Sequence, residues 1–378
     1  MKLNKFKIFA LLIIFSAVVY GQNFSFAVMS DSRGSDNGVN SVVLNKLLSH
    51  LLNNNKNLKF IIFLGDLIDG TYKDPFENLE QLKHWKNLMN KAYASPYLIG
   101  PKVYVTPGNH EIRTPYDEAF FRKVFPDMPK NGPEDEKGLT FSFDYQNVHF
   151  LIFDSDRWYY GDLHTLRDDK ADWHKIKHLD WIINDLKKAQ TKGSKWIFVG
   201  SHEMPFPIGG HLHDGLADLG HKVQFPLTEK QKQNLKNRDK LWNSLVNYGV
   251  TAYFSGHEHL YGRLSYKGVF QIVAGSSGAP VYDFNPTFQQ GNSKRKMQEF
   301  TYRQALPYYK AMGYQFGPGK KSQISNNFVG KRAMHYVLVN VNKDSVVVKT
   351  FGMYVRKNSR LKTDGKILLI DKFVINKK

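Results

Sequence analysis

Five short apolar runs in this chain lead directly into residues able to hold a metal ion. Phe24–Met29 precedes Asp31, Phe60–Leu64 precedes Gly65-Asp66, and Val103–Thr106 precedes Gly108-Asn109-His110-Glu111. Trp196–Gly200 precedes His202, and Val250–Phe254 precedes Gly256-His257-Glu258-His259. Strands buried on both faces read as short continuous apolar runs, and ligands in open α/β sheets gather beyond the strands' carboxyl ends. A fold built on these runs therefore brings oxygen and imidazole donors to one sheet edge. That donor set points to a metal centre.

Helical patterns separate the runs. Asn40–Leu52, Pro75 with Phe76–Tyr93, Asp117–Phe125, His178–Gln190 and Thr228–Tyr248 carry helical spacing or helix-start signals. Phe141–Tyr145 and Val148–Asp154 flank Gln146-Asn147 and read as a β-hairpin. Val269–Ala274, Ala333–Val341, Ser345–Phe351 and Ile367–Val374 read as further strands. Strands alternate with helices up to Ala274 and a β-rich tail follows, which predicts one α/β domain with mixed sheets. This domain spans 22–378, with insertions near 203–227 and 279–331.

The first 21 residues read as an address. Lys2, Lys5 and Lys7 precede the apolar stretch Ile8–Tyr20, which is short of the roughly 20 apolar residues that span a bilayer. The segment reads as a signal peptide over 1–21, cut ahead of Gln22, with an uncleaved anchor as the alternative; cleavage makes the mature chain an exported protein, periplasmic or secreted, with no transmembrane segment. The chain has no cysteine, which excludes disulfides, lipoprotein attachment and thiolate ligands. Its net charge of +19 would attract anionic partners, although Lys is abundant everywhere and much of this charge reads as solvated surface.

A carboxylate has about four lone-pair sites and can bridge two cations, whereas Asn and His each offer one donor atom. Two-metal phosphoryl chemistry needs such a mixture. In chain order, Asp31-Ser32-Arg33, Gly65-Asp66, Gly108-Asn109-His110-Glu111, His202 and Gly256-His257-Glu258-His259 resemble the motifs of the calcineurin-like metallophosphoesterases. Those motifs are Asp-x-His, Gly-Asp, Gly-Asn-His-Asp/Glu, His and Gly-His-x-His. The resemblance covers residues 24–275 and implies a four-layer α/β/β/α sandwich, two mixed β-sheets flanked by helices. It implies two divalent or trivalent metal ions, of which Mn, Fe, Zn and Co suit a sulfur-free donor set. Carried over by position, Asp31 and His259 hold the first metal, Asn109, His202 and His257 the second, and Asp66 bridges them. His110 becomes a proton donor to the leaving alkoxide or a stabiliser of transition-state charge. The implied activity is hydrolysis of a phosphomonoester or phosphodiester, a nucleotide or other anionic ester, by a metal-bound hydroxide. The alternative is a catalytically weakened envelope protein that binds phosphorylated ligands.

The first block departs from the family pattern. Arg33 stands where the family has His, and a guanidinium has no lone pair to give a metal. It can grip the substrate phosphate, replace the first metal's charge, or pair structurally with Asp36 or Asp69. Asp69 is itself a candidate ligand, because purple acid phosphatases carry a Tyr ligand at the corresponding place. The missing Tyr argues against a true purple acid phosphatase, although Gly256–Tyr261 and the Gly275-rich turn resemble that branch.

Four other polar clusters read more plainly. His211, His213, Asp214 and His221 read as a solvated loop, with a substrate entrance or adventitious metal as the alternative, and His174 with His178, although at the spacing of a zinc pair, as an exposed helix face. Asp154-Ser155-Asp156-Arg157 either supports the ligands or makes a turn. Tyr302, Tyr308, Tyr309 and Tyr314 read as packing a loop over the core, with stacking on a base or sugar as the alternative.

Overall fold

The computed structural model describes residues 23–156, 176–209, 215–217, 227–282 and 328–377. The N-terminal address, Arg157, His174, His211, His213, Asp214, His221 and the four insertion tyrosines lie outside these residues.

Two mixed sheets form the centre. The six-stranded sheet runs in the order Leu368–Asn376, Ser345–Tyr354, Ala333–Val341, Phe24–Met29, Leu58–Leu64 and Val103–Thr106. Phe24–Met29 pairs parallel with Leu58–Leu64 and antiparallel with Ala333–Val341. The seven-stranded sheet runs Phe328–Lys331, Tyr261–Tyr266, Val269–Ala274, Ala252–Ser255, Trp196–Gly200, Val148–Ile152 and Phe141–Tyr145. Its inner pairs, from Val269–Ala274 to Val148–Ile152, are parallel, so Trp196–Gly200 and Ala252–Ser255 end on the same side.

The two-residue period of a strand sends alternate side chains to opposite faces. Phe198 and Phe254 join the core between the sheets, whereas Ile197, Val199 and Tyr253 join a second core beneath the helices. Phe26 from the first sheet meets Phe150 and Phe198 from the second at ring-centre distances of 5.0 Å. On the other face of the first sheet, helix Ser41–Asn54 buries Leu44, Leu47, Leu48 and Leu51 and helix Pro75–Leu88 packs Trp85 against Phe63, in a cluster continuous with the core between the sheets. Helices Leu179–Thr191 and Glu229–Asn247 place Ile182, Leu186, Leu241 and Trp242 in the second core. The result is the expected α/β/β/α arrangement. No helix among the described residues is long and apolar enough to cross a membrane.

Several elements differ from the sequence expectation. The long helix over Phe76–Tyr93 stops at Leu88, and a short turn of helix covers Asn90–Tyr93. Strand Val148–Ile152 ends two residues early, because Asp154 turns to donate its backbone N–H to Thr140 Oγ1 at 2.8 Å. Tyr261–Tyr266, with Phe328–Lys331 beside it, forms unexpected strands. The polar Arg263 hides the first of these in the sequence, and its buried guanidinium is neutralised by Asp371 at 2.8 Å.

Candidate metal centre

The first sheet supplies oxygen donors and the second supplies imidazoles. Asp31, Asp66 and Asn109 follow the strands ending at Met29, Leu64 and Thr106, whereas His202, His257 and His259 follow those ending at Gly200 and Ser255. The turns are tight. Asp31, Asp66 and His257 have φ of 56°, 50° and 64°, a left-handed backbone that costs a non-glycine residue about 1–3 kcal/mol. Strain at three residues of one cluster persists because their surroundings fix them. The Asp31 N–H donates to Gly65 O at 3.1 Å, and the Ser32 N–H donates to Asp66 O at 2.9 Å. The His257 N–H donates to Asp31 Oδ2 at 3.0 Å, and the His110 N–H donates to Asp66 Oδ1 at 3.1 Å.

Tautomers can be read from acceptors that have no hydrogen to give. His202 Nδ1 lies 2.8 Å from the Leu64 carbonyl and must donate to it, which leaves a lone pair on Nε2 in the neutral ring. That Nε2 faces Asn109 Oδ1 at 3.2 Å, His257 Nδ1 at 3.2 Å and Asp66 Oδ1 at 3.3 Å. Asp31, Asp66 and His202 each bring a ligand atom within 4.8 Å of the other two. His259 repeats the pattern: its Nδ1 donates to Pro280 O at 2.9 Å, and its Nε2 faces Asp31 Oδ1 at 3.3 Å. Asp31 Oδ1 is buried and has no hydrogen-bond partner. Lone pairs facing lone pairs repel unless a cation or an extra proton lies between them, so the donor set fits metal ions.

Electrostatics divide the charge unevenly. Burial works against ionisation of Asp66, yet His110, His202, Arg33 and His257 outweigh it and hold this carboxyl well below the usual range. Burial pushes Asp31 up to about 7, with His202 opposing and Asp66 adding to the rise. Of these two neighbouring carboxylates, Asp66 ionises the more readily. Burial would depress His202, but Asp66, Asp31 and Asp156 together raise it. His110 is pushed down to about 3, by burial first, with Asp66 opposing and Arg33 and Arg113 reinforcing the drop.

Arg33 points its Nε at Asp66 Oδ2, 3.6 Å away, and its Nη1 donates to Asp69 Oδ1 at 3.2 Å. The Asp69 carboxylate is engaged by this guanidinium and stands outside the Asp31–Asp66–His202 group. The Asp69 carbonyl accepts from His110 Nδ1 at 2.6 Å. Asp154-Ser155-Asp156 does both things expected of it. Asp156 N–H closes a turn on Asp154 Oδ1 at 2.9 Å, and Ser155 Oγ accepts from the Glu203 N–H beside His202 at 3.0 Å.

Two carboxylates escaped the sequence reading although they lie inside its motifs. Glu111 Oε2 accepts from the N–H groups of both Asp66 and Gly108, each at 2.8 Å. Glu258 accepts from Ile208 and Gly209 at 2.7 and 2.6 Å, tying the segment after His202 to the His257 turn. The sequence signal for Glu111 was its place in the Gly-Asn-His-Asp/Glu motif, and for Glu258 only its place between two histidines.

A model of the calcineurin-like phosphoesterase family matches residues 24–261. The mouse (Mus musculus) protein named acid phosphatase type 7 is 30% identical over 181 residues, 47% of this chain and 36% of that protein. The match thus spans about a third of the curated relative's length. Among solved structures, purple acid phosphatase PPD1 from yellow lupin (Lupinus luteus) seeds superposes with a TM-score of 0.56 at 13% identity. That superposition covers 94% of this chain and 54% of the lupin chain, and the likeness is one of fold.

Proposed function

Because the chain belongs to the calcineurin-like phosphoesterase family, we propose that it is an exported hydrolase of phosphoric esters built on a two-metal centre. The observation that carries this reading is the convergence of lone pairs at His202 Nε2. Asn109, His202 and His257 would hold one ion, Asp31 and His259 the other, with Asp66 shared between them. Bound cations supply Lewis acidity, which polarises phosphoryl oxygens and activates water near neutral pH.

The chain's own groups do the rest. Asp66 stays ionised under the pull of four basic neighbours and offers a negative charge in a buried site. Glu111 and the left-handed turns hold the donors in place before any ligand arrives, so no reorganisation is needed on binding. Arg33, partly exposed beside Asp66, presents a fork suited to phosphate oxygens. His110 donates its Nδ1 proton to the Asp69 carbonyl, which leaves Nε2 as an acceptor 3.8 Å from Asp66 Oδ2. Burial first, with Arg33 and Arg113 adding to it, keeps the ring neutral, and an arriving phosphate anion would favour its protonation for a role as proton donor.

Export rests on Lys2, Lys5, Lys7 and the apolar stretch Ile8–Tyr20, and cleavage ahead of Gln22 is checked by N-terminal sequencing of the exported protein. The activity is tested with a panel of phosphomonoesters and phosphodiesters assayed with Mn, Zn and Fe, for wild type and Asn109→Ala. The expected result is hydrolysis with about two metal ions per chain, both reduced in the variant. Failure to hydrolyse any ester with any metal would sink the hydrolase and leave a binder of phosphorylated ligands.

A further inference from the structure

Arg113 forms no ion pair with a carboxylate among the described residues, although Asp66 and Asp69 lie on the far side of the His110 ring. Its Nη2 lies 2.7 Å from His110 Nδ1 and 3.1 Å from His110 Nε2. Its Nη1 donates to the Gly70 carbonyl at 3.3 Å, and the guanidinium lies 4.6 Å from the centre of the Tyr72 ring. Its Nε is buried and has no hydrogen-bond partner. The acid nearest in sequence, Asp117, is occupied elsewhere. It accepts from Thr114 Oγ1, from Asn78 Nδ2 and from the backbone N–H groups of Arg113 and Thr114. Arg33 differs, because Asp69 at 3.2 Å and Asp66 at 3.6 Å already offset its charge.

A guanidinium offers five N–H donors in a planar fork, and a neutral imidazole has a single lone pair with which to answer it. Arg113 is therefore left with donors and charge to spare, next to the ring that faces Asp66 Oδ2. It is half-buried and reachable from solvent, as is Arg33. Buried charge of this kind is retained where an anion comes to meet it.

We propose that Arg113 is a substrate-binding residue which, together with Arg33, reads the second negative charge of a phosphomonoester. The substrate class is then the monoester dianion rather than the diester. This inference rests on the phosphoesterase reading for the identity of the reacting group. A diester has two non-bridging oxygens and one charge, whereas a monoester has three and approaches two charges at neutral pH. Arg33 arrives with its charge largely answered by Asp69 and Asp66. The unanswered charge on Arg113 is the group that separates the two classes. Tyr72, about half exposed, lies against the guanidinium without neutralising it.

The test compares metal-loaded wild type, Arg113→Ala and Arg113→Lys on p-nitrophenyl phosphate and bis(p-nitrophenyl) phosphate. Calorimetric binding of inorganic phosphate and metal content are measured on the same samples. In Arg113→Ala the kcat/KM for the monoester should fall about 30-fold, at least about tenfold more than for the diester. Phosphate affinity should weaken to a similar degree, Arg113→Lys should recover part of it, and metal content should hold. An equal fall for both esters, a loss of metal, or unchanged phosphate affinity overturns the proposal. Should wild type hydrolyse neither ester, the phosphoesterase reading fails, and phosphate titration still decides the role of Arg113.

Discussion

Glu111 accepts the backbone N–H of Asp66 at 2.8 Å, and through the same oxygen it accepts that of Gly108 at 2.8 Å. Its other oxygen takes the Ile68 N–H at 3.1 Å. One side chain thus fixes the spacing between the turn carrying Asp66 and the turn carrying Asn109 and His110. Glu111→Gln sets an amide N–H₂ against a backbone donor. Stability should fall by about 1–3 kcal/mol in chemical denaturation. Metal affinity should fall roughly tenfold or more in a chelator competition. Unchanged affinity would mean that the two turns keep their spacing without this clip.

Arg33→Ala separates the roles open to that residue. If the guanidinium grips phosphate in ground and transition state alike, KM rises about tenfold while kcat and metal content stay near wild type. Steady-state kinetics with metal analysis reads this directly. Lost metal at constant KM would show instead that Arg33 helps to build the centre.

Gly256 has no room for a side chain. A Cβ there would stand 2.6 Å from Asp31 Oδ2 and closer still to Ser30 Oγ, and both neighbours are buried. Gly256→Ala should cost about 1–3 kcal/mol by overpacking, and it should lower metal content by displacing the Asp31 carboxylate. A variant with wild-type melting temperature and metal content would contradict this.

His149 gives the pH dependence of stability away from the centre. Its Nδ1 lies 2.9 Å from Asp144 and its Nε2 2.7 Å from Asp185. Burial would lower its pKa, but Asp185 and Asp144 outweigh that and raise it above 6.5. A raised folded value means the stabilisation is complete below the unfolded value and disappears as pH rises through the folded one. The melting-temperature gap between wild type and His149→Gln should therefore be wide near about pH 5.5 and narrow near about pH 9. A gap that does not change with pH would show that the ring stays neutral.

Much of the fold was legible because buried strands of an α/β protein are continuous apolar runs. Phe24–Met29, Val103–Thr106, Trp196–Gly200 and Val269–Ala274 form over the residues that the pattern marks. Tyr261–Tyr266 was not legible. Its Arg263 is tolerated in a buried strand only through Asp371, more than a hundred residues away, and no local pattern carries that pairing. The same holds for Glu111 and Glu258, whose work is to accept backbone N–H groups from other turns.

The sequence by itself determined which residues stand at the strand ends and that their donor atoms are oxygen and imidazole nitrogen. Residue type and strand period are local, so they can be read along the chain. Only the tertiary structure decided which lone pairs face one another. Leu64 sets the ring proton of His202, Pro280 sets that of His259, and Asp69 sets that of His110. It also decided that Arg33 lies beside Asp69 and Asp66, whereas Arg113 meets no carboxylate in an ion pair among the described residues. Charge balance in a buried site depends on distances of a few ångströms between segments far apart in the chain, and those distances exist only once the two sheets have packed.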